Sequence, residues 1–202
     1  MIQDNLTDFL SKLVELFPDS SNLLQKYNAE RIKIFGLYIP SNDPLLTPDD
    51  YCRFKNLTFV LPQTLVTVKP ADGKHSLFEY WNGNKERLLS VDNRELQSYV
   101  KYCSEILRGY FGAVKKHLKN YWDDDASKLL SVISLNGFII ALTRQLGING
   151  VQDFDFYDKI FSGWSFDFSS EKFPYTSSQY RKFSSEILES AFKIPQEILE
   201  TI

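Results

Sequence analysis

Three acidic residues in the stretch DFDFYD, namely Asp153, Asp155 and Asp158, sit close enough in the chain to hold a divalent cation through hard carboxylate oxygens. The run Asp123, Asp124, Asp125 offers the same chemistry. Each has a competing structural reading. Alternation of aspartates with Phe154 and Phe156 is also the pattern of a half-buried strand. Asp125, directly before Ala126, is placed to cap a helix that starts there. The structural readings are adopted, and no metal or cofactor is expected.

Acid–base and nucleophilic chemistry have few carriers. The two histidines, His75 in GKHS and His117 in KKHLK, lie in lysine-flanked polar contexts. A catalytic histidine needs an orienting carboxylate and a nucleophile in reach, and nothing near either residue in the chain supplies them. Both are read as solvated surface histidines. Phosphate loops, nucleophile elbows, zinc-protease helices and dinucleotide fingerprints are all missing. Cys52 and Cys103 are too few for a disulfide framework or a zinc cluster and read as reduced, buried thiols. The expectation is a chain without catalysis.

A basic stretch remains. Between Arg94 and Lys119 six basic residues, Arg94, Lys101, Arg108, Lys115, Lys116 and Lys119, face only Glu95 and Glu105. Residues 150–202 carry five basic and nine acidic residues. Arg108, Lys115, Lys116 and Lys119 could bind phosphates along one face. The same asymmetry also arises from two complementary faces packed together, or from a solvated helix surface. The formal net charge of −3 gives no global basic field.

These groups need elements to position them, and the apolar pattern predicts mostly helices. Leu96, Tyr99, Val100, Cys103, Ile106, Leu107, Tyr110, Phe111, Val114, Leu118 and Tyr121 keep one stripe along a long helix over 93–122. Asp92 with Glu95 has the spacing of a capping box. Gly109 and Gly112 lie inside this helix and either admit a close neighbour or face solvent. Residues 131–150, SVISLNGFIIALTRQLGING, hold Asn136 and Gly137 in an apolar run that keeps its phase through the pair. We therefore read Gly137 as interior to a helix, packed on the long helix or on a partner, with Asn136 needing a hydrogen-bond partner there. Gly147 is read as the C-terminal cap. The apolar run from Leu129 to Leu142 is 14 residues long, short of the ~20 that a membrane span needs.

Residues 151–175 read as irregular and aromatic-rich. A last helix is expected over 177–193, started by a Thr176–Gln179 capping box. Toward the N-terminus, residues 4–17 form an amphipathic helix pattern, 23–27 a short helix, and RIKIFGLYIP a strand. Thr47, Pro48, Asp49 and Asp50 resemble a helix start. The stretch 57–70 is ambiguous between strand and not, and Asn82-Gly83 fits a hairpin turn or, by preference, a helix end. The fold class expected is mainly α (α+β). It is a helical bundle around the long helix 93–122, with a small β element in the N-terminal third. Residues 1–202 form one domain, with a weak boundary near the Pro-rich 40–48.

Three stretches in order, NRELQSYVKYCSEILRGYFGAVKKHLKNYW, KLLSVISLNGFIIALTRQL and SSQYRKFSSEILESAF, resemble the C-terminal helical half of DGQHR-motif proteins. These are prokaryotic proteins that include regulators of DNA phosphorothioation and others linked to DNA modification and phage defence. Trp122, near the end of the long helix, and Gly137, inside the next, match the family pattern, over roughly residues 57–192. The namesake motif belongs to an N-terminal half built like a ParB-type nuclease fold, and that half is largely missing here. Asp72-Gly73-Lys74-His75 imitates the motif with Lys for Gln and with Ser76 where Arg stands, just before the helical half. No DNA-handling residue carries over. The resemblance implies an accessory module that acts with a protein partner, or by self-association, in a cytoplasmic DNA-modification or defence setting. The alternative is direct nucleic-acid binding through Arg108, Lys115, Lys116 and Lys119. The residues expected to serve helix packing are Gly109, Gly112, Asn136 and Gly137.

Overall fold

A computed structural model describes residues 42–47, 50, 53, 75–88, 94–176 and 178–199. Within them the chain is mainly α, and no strand occurs among the described residues. The expected N-terminal helices, the strand in 31–40, the stretch 57–70 and the Asp92 cap lie outside them. No helix of the described residues is long and apolar enough to cross a membrane.

The apolar stripe of the long helix produces α2, Arg94–His117. Tyr99, Cys103, Ile106, Leu107, Tyr110, Phe111 and Val114 are all buried along it. The helix stops short of the expected Trp122. Leu118 leaves helical geometry at φ −114°, ψ 31°, and a short α3, Lys119–Trp122, follows. Ahead of α2 come α1, Leu77–Tyr80, and a 3-10 turn, Lys85–Arg87. Asn82-Gly83 is neither a hairpin turn nor a left-handed helix end: α1 ends on Trp81 in extended geometry, and Asn84 caps the 3-10 turn through Arg87 N–H. Glu95 accepts from Asn84 N–H at 3.1 Å, which ties this turn to the start of α2.

The apolar segment forms α4, Val132–Asn149, with Asn136 and Gly137 buried in its interior. Two expectations about its ends are corrected. The helix starts at Val132 under a Ser131 cap, because Asp124 is taken by Ala126 N–H and Asp125 pairs with Arg53 at 2.9 Å. It runs past Gly147 and ends at Gly150, whose φ of 67° suits glycine. At Gly147 the His75 ring comes close to the helix backbone: a Cβ there would lie 2.5 Å from the imidazole.

DFDFYD is neither strand nor irregular. Asp153 caps α5, Phe154–Ser162, by accepting from Phe156 N–H. One helical turn then puts Tyr157 and Phe161 inward, spaced i, i+4. The last major helix is α6, Tyr180–Ser190, shorter than the expected 177–193. The Gln179 side chain reaches back to Thr176 N–H at 2.9 Å, but Thr176 donates its hydroxyl to the same oxygen, so only half of a capping box forms. A final turn, α7, spans Gln196–Leu199.

The packing pairs α2 with α5 and α4 with α6. Phe138 of α4 sits between the pairs, its ring within 6.3 Å, centroid to centroid, of Tyr110, Phe111, Phe161, Trp164, Phe168 and Phe183. Edge-to-face rings at these distances each add roughly 0.5–1.5 kcal/mol beyond the area they bury. The buried hydroxyl of Tyr110 donates to Phe138 O at 3.0 Å, which fixes the register of α2 on α4.

The glycines of the two long helices are all buried except Gly147. Gly109 lies against the backbone start of α5, where a Cβ would find Phe154 N at 3.4 Å, an ordinary contact. Gly112 lies against Leu45, whose Cβ would stand only 2.8 Å away. Gly109→Ala is therefore expected to gain most of the helix-propensity difference, up to about 1 kcal/mol. Gly112→Ala should lose that gain to overpacking. Thermal melts of the two variants check this, and equal gains would place Leu45 away from the helix.

Candidate interaction site on the long helix

The basic face of α2 and α3 is closed by acids of the same chain. Arg108 Nε donates to Asp43 at 2.7 Å and Lys115 Nζ to Asp50 at 2.6 Å. Lys116 Nζ reaches both oxygens of Asp158, at 2.8 and 2.9 Å, and Lys119 pairs with Asp123 at 2.5 Å. The acids come from three places, and only Asp158 belongs to the acidic C-terminal third.

Asp50 is buried, 6% exposed. It stands three residues after Thr47 and takes both the Thr47 N–H, at 2.8 Å, and the Thr47 hydroxyl, at 3.0 Å. This is the reach-back half of a capping box, made by Asp. The other oxygen accepts the indole N–H of the fully buried Trp122 at 2.9 Å. Burial pushes the Asp50 carboxyl up, but the bonds from Lys115, Thr47 N–H and Trp122 outweigh it and hold the group below the usual carboxylate range. Asp43 repeats the arrangement. It accepts from Leu45 N–H and Leu46 N–H as well as from Arg108, and it too is held low against the opposing effect of burial.

The far half of the face is different. Lys116 and Lys119 keep 53% and 66% of their side-chain surface in solvent. His117, expected to be a solvated surface residue, keeps only 20% and meets Asp158 through Nε2 at 2.7 Å. Its orienting acid is 41 residues away, which is why the local sequence offers none. Asp158 is held below the usual carboxylate range, first by the Lys116 bond and next by that of His117. Beside this cluster, at the Leu118 break, lies an open cleft of about 560 Å³. Trp164, Phe166 and Asp167 form its opposite wall. Asp167 is held down to about 2, first by Ser169 and also by the Tyr121 hydroxyl.

The other candidate groups do not converge. Asp153 is a cap, Asp158 is an ion-pair partner, and Asp123, Asp124 and Asp125 have separate partners. Among the described residues no group of three His, Cys, Asp or Glu side chains is placed to hold a metal ion. His75 bonds to Glu79 at 2.9 Å, far in sequence from His117. Cys103 is buried, and burial pushes its thiol well above its ordinary range.

No family model, curated protein or solved structure matches the chain. The reading of the site therefore rests on its own geometry. Gly137 lies inside the helix with its face against another helix, and that helix is α6 and not the long helix: a Cβ on Gly137 would stand 2.3 Å from Phe183 Cδ1. The Asn136 amide oxygen is buried without a hydrogen-bond partner among the described residues. Asp43 and Asp50 were not among the residues the sequence singled out for the basic face. Their signal is a shared interval, since Asp43 and Asp50 are seven residues apart and so are Arg108 and Lys115.

Proposed function

We propose that this chain is a non-enzymatic interaction module that acts with a protein partner. The setting, cytoplasmic DNA modification or phage defence, comes from the resemblance to the helical half of DGQHR-motif proteins and from nothing else. One observation supports a protein partner over nucleic acid: all four cations of the candidate phosphate-binding face are paired with aspartates of the same chain. A phosphate approaching Arg108 or Lys115 would have to displace a carboxylate that also holds its own segment together. Asp153 serves as a helix cap, and Asp123, Asp125 and Asp158 as ion-pair partners, which are structural roles for the acids that could otherwise hold a metal.

The nucleic-acid reading keeps one point in its favour. Lys116 and Lys119 are exposed and stand at the cleft with Trp164 and Phe166, a mixture of cations and aromatic rings that single strands use. Affinity-tagged chain expressed in its native host is expected to carry a protein partner through purification. Gel shifts with single- and double-stranded oligonucleotides are expected to show no complex at low salt. Recovery of the chain alone would overturn the partner reading. A shift that weakens steeply with salt and is lost in Lys116→Glu with Lys119→Glu would establish the alternative.

A further inference from the structure

The segment that pairs with Arg108 and Lys115 has the features of a bound peptide. Its contacts follow α2 in order: Asp43 on Arg108, Leu45 on Gly112, Asp50 on Lys115 and Trp122, Arg53 on Asp125. Arg108, Gly112 and Lys115 are spaced i, i+4, i+7, one stripe of a helix, so the two cations stand about 10 Å apart along it. Between them Gly112 leaves a hollow that Leu45 enters, and the neighbouring Leu46 is fully buried. The segment's other described hydrogen bonds are local. Asp43 takes the N–H groups of Leu45 and Leu46, and Asp50 takes the N–H and hydroxyl of Thr47. The two carboxylates thus fold the segment and pin it with the same atoms, so a short peptide of this sequence carries its own preorganisation.

We propose that the Arg108–Trp122 face is a receptor groove for an acidic, leucine-bearing peptide of a partner protein, and that Asp43, Leu45, Leu46 and Asp50 fill it in cis. The partner peptide would present two carboxylates seven residues apart around an apolar pair, as Asp43, Leu45, Leu46 and Asp50 do. This rests on the reading of the chain as an interaction module and names the partner's chemistry. Tethering places the cis segment at an effective concentration of about millimolar, so a competing peptide meets an occupied groove. Weakening the cis copy should open it.

The test uses the full chain and a fluorescent synthetic peptide of residues 42–53 carrying Cys52→Ser, followed by anisotropy. The chain with Asp43→Lys and Asp50→Lys is expected to bind this peptide at least tenfold more tightly than the unaltered chain. Arg108→Ala with Lys115→Ala added to that variant should abolish binding, as should placing the two Asp→Lys changes in the peptide instead. Equal binding by altered and unaltered chains would overturn the proposal. So would no binding by an altered chain that keeps its helical circular dichroism. Loss of that helical signal would also overturn it, because the segment would then be part of the fold and not an occupant. Failure to recover a native partner leaves this peptide result standing, so the two readings fail separately.

Discussion

Asp50→Ala is expected to cost about 3 kcal/mol, the low end of the range for removing one partner of a buried ion pair. The low end applies because Lys115 keeps 23% of its side-chain surface in water and can recover some hydration. The loss is not the Lys115 pair alone. Trp122, at 0% exposure, loses the acceptor for its indole N–H, and Thr47 loses the bond to its own N–H. Asp50→Asn should cost less, since an amide oxygen can still accept from Trp122. Lys119→Ala should cost under about 1 kcal/mol, because its pair with Asp123 is open to solvent on both sides. Urea titration of the three variants gives the comparison. Where the segment opens ahead of the core, the urea loss stops at the segment's docking energy, and hydrogen exchange at the Leu45 and Leu46 amides reports the rest. Equal losses for Asp50→Ala and Lys119→Ala would show that Asp50 is not enclosed as described.

The same two carboxylates set the response to acid. Asp50 and Asp43 are both held below their ordinary values in the folded chain, so each contributes stability that is complete above the unfolded value of about 4. That contribution is lost as pH falls through the lowered folded value. Release of Asp43 from Arg108 and of Asp50 from Lys115 is therefore expected in the acid range, starting below about pH 5, and Asp50→Asn should flatten the dependence.

What could be read from the chain alone follows the range of the interactions. The α2 stripe was legible because burial on one helix face repeats at helical spacing, whatever the partner. The continuation of α4 through Asn136 and Gly137 was legible for the same reason. Local bonds were half legible. Gln179 does reach Thr176, but Asp153 caps a helix where strict alternation looked like a strand, since a cap and the first helical turn also put Phe154 and Phe156 on either side of an aspartate. The helix start at Ser131 was hidden behind Asp125, an equally good capping residue that is used by Arg53 instead. The long-range ion pairs left no trace beyond the shared seven-residue interval. Arg108 and Asp43 are 65 residues apart, as are Lys115 and Asp50, and charge on a helix face looks the same whether water, phosphate or a distant aspartate neutralises it.

Gly137 gives the sharpest test of the core. Phe183 is 0% exposed and its ring is held by Phe138, Phe166, Phe168, Phe173 and Tyr175 at centroid distances of 5.2–5.8 Å. A methyl on Gly137 would enter that ring at 2.3 Å, so the ring must move, and its neighbours leave it no free direction. Gly137→Ala gains up to about 1 kcal/mol of helix propensity and loses roughly 1–3 kcal/mol to overpacking, and the net effect expected is destabilising. Gly137→Leu should be worse. Phe183→Ala removes the ring itself, with an expected cost of about 3–5 kcal/mol for an aromatic core truncation. The two changes are not independent. In the Phe183→Ala background the Gly137 methyl has room, so Gly137→Ala should change sign and stabilise by up to about 1 kcal/mol. Denaturant melts of the wild type, both single variants and the double variant measure that coupling directly. An alanine at 137 that remains costly without the Phe183 ring would mean the methyl meets some other group, and that α4 and α6 do not cross where Gly137 and Phe183 touch.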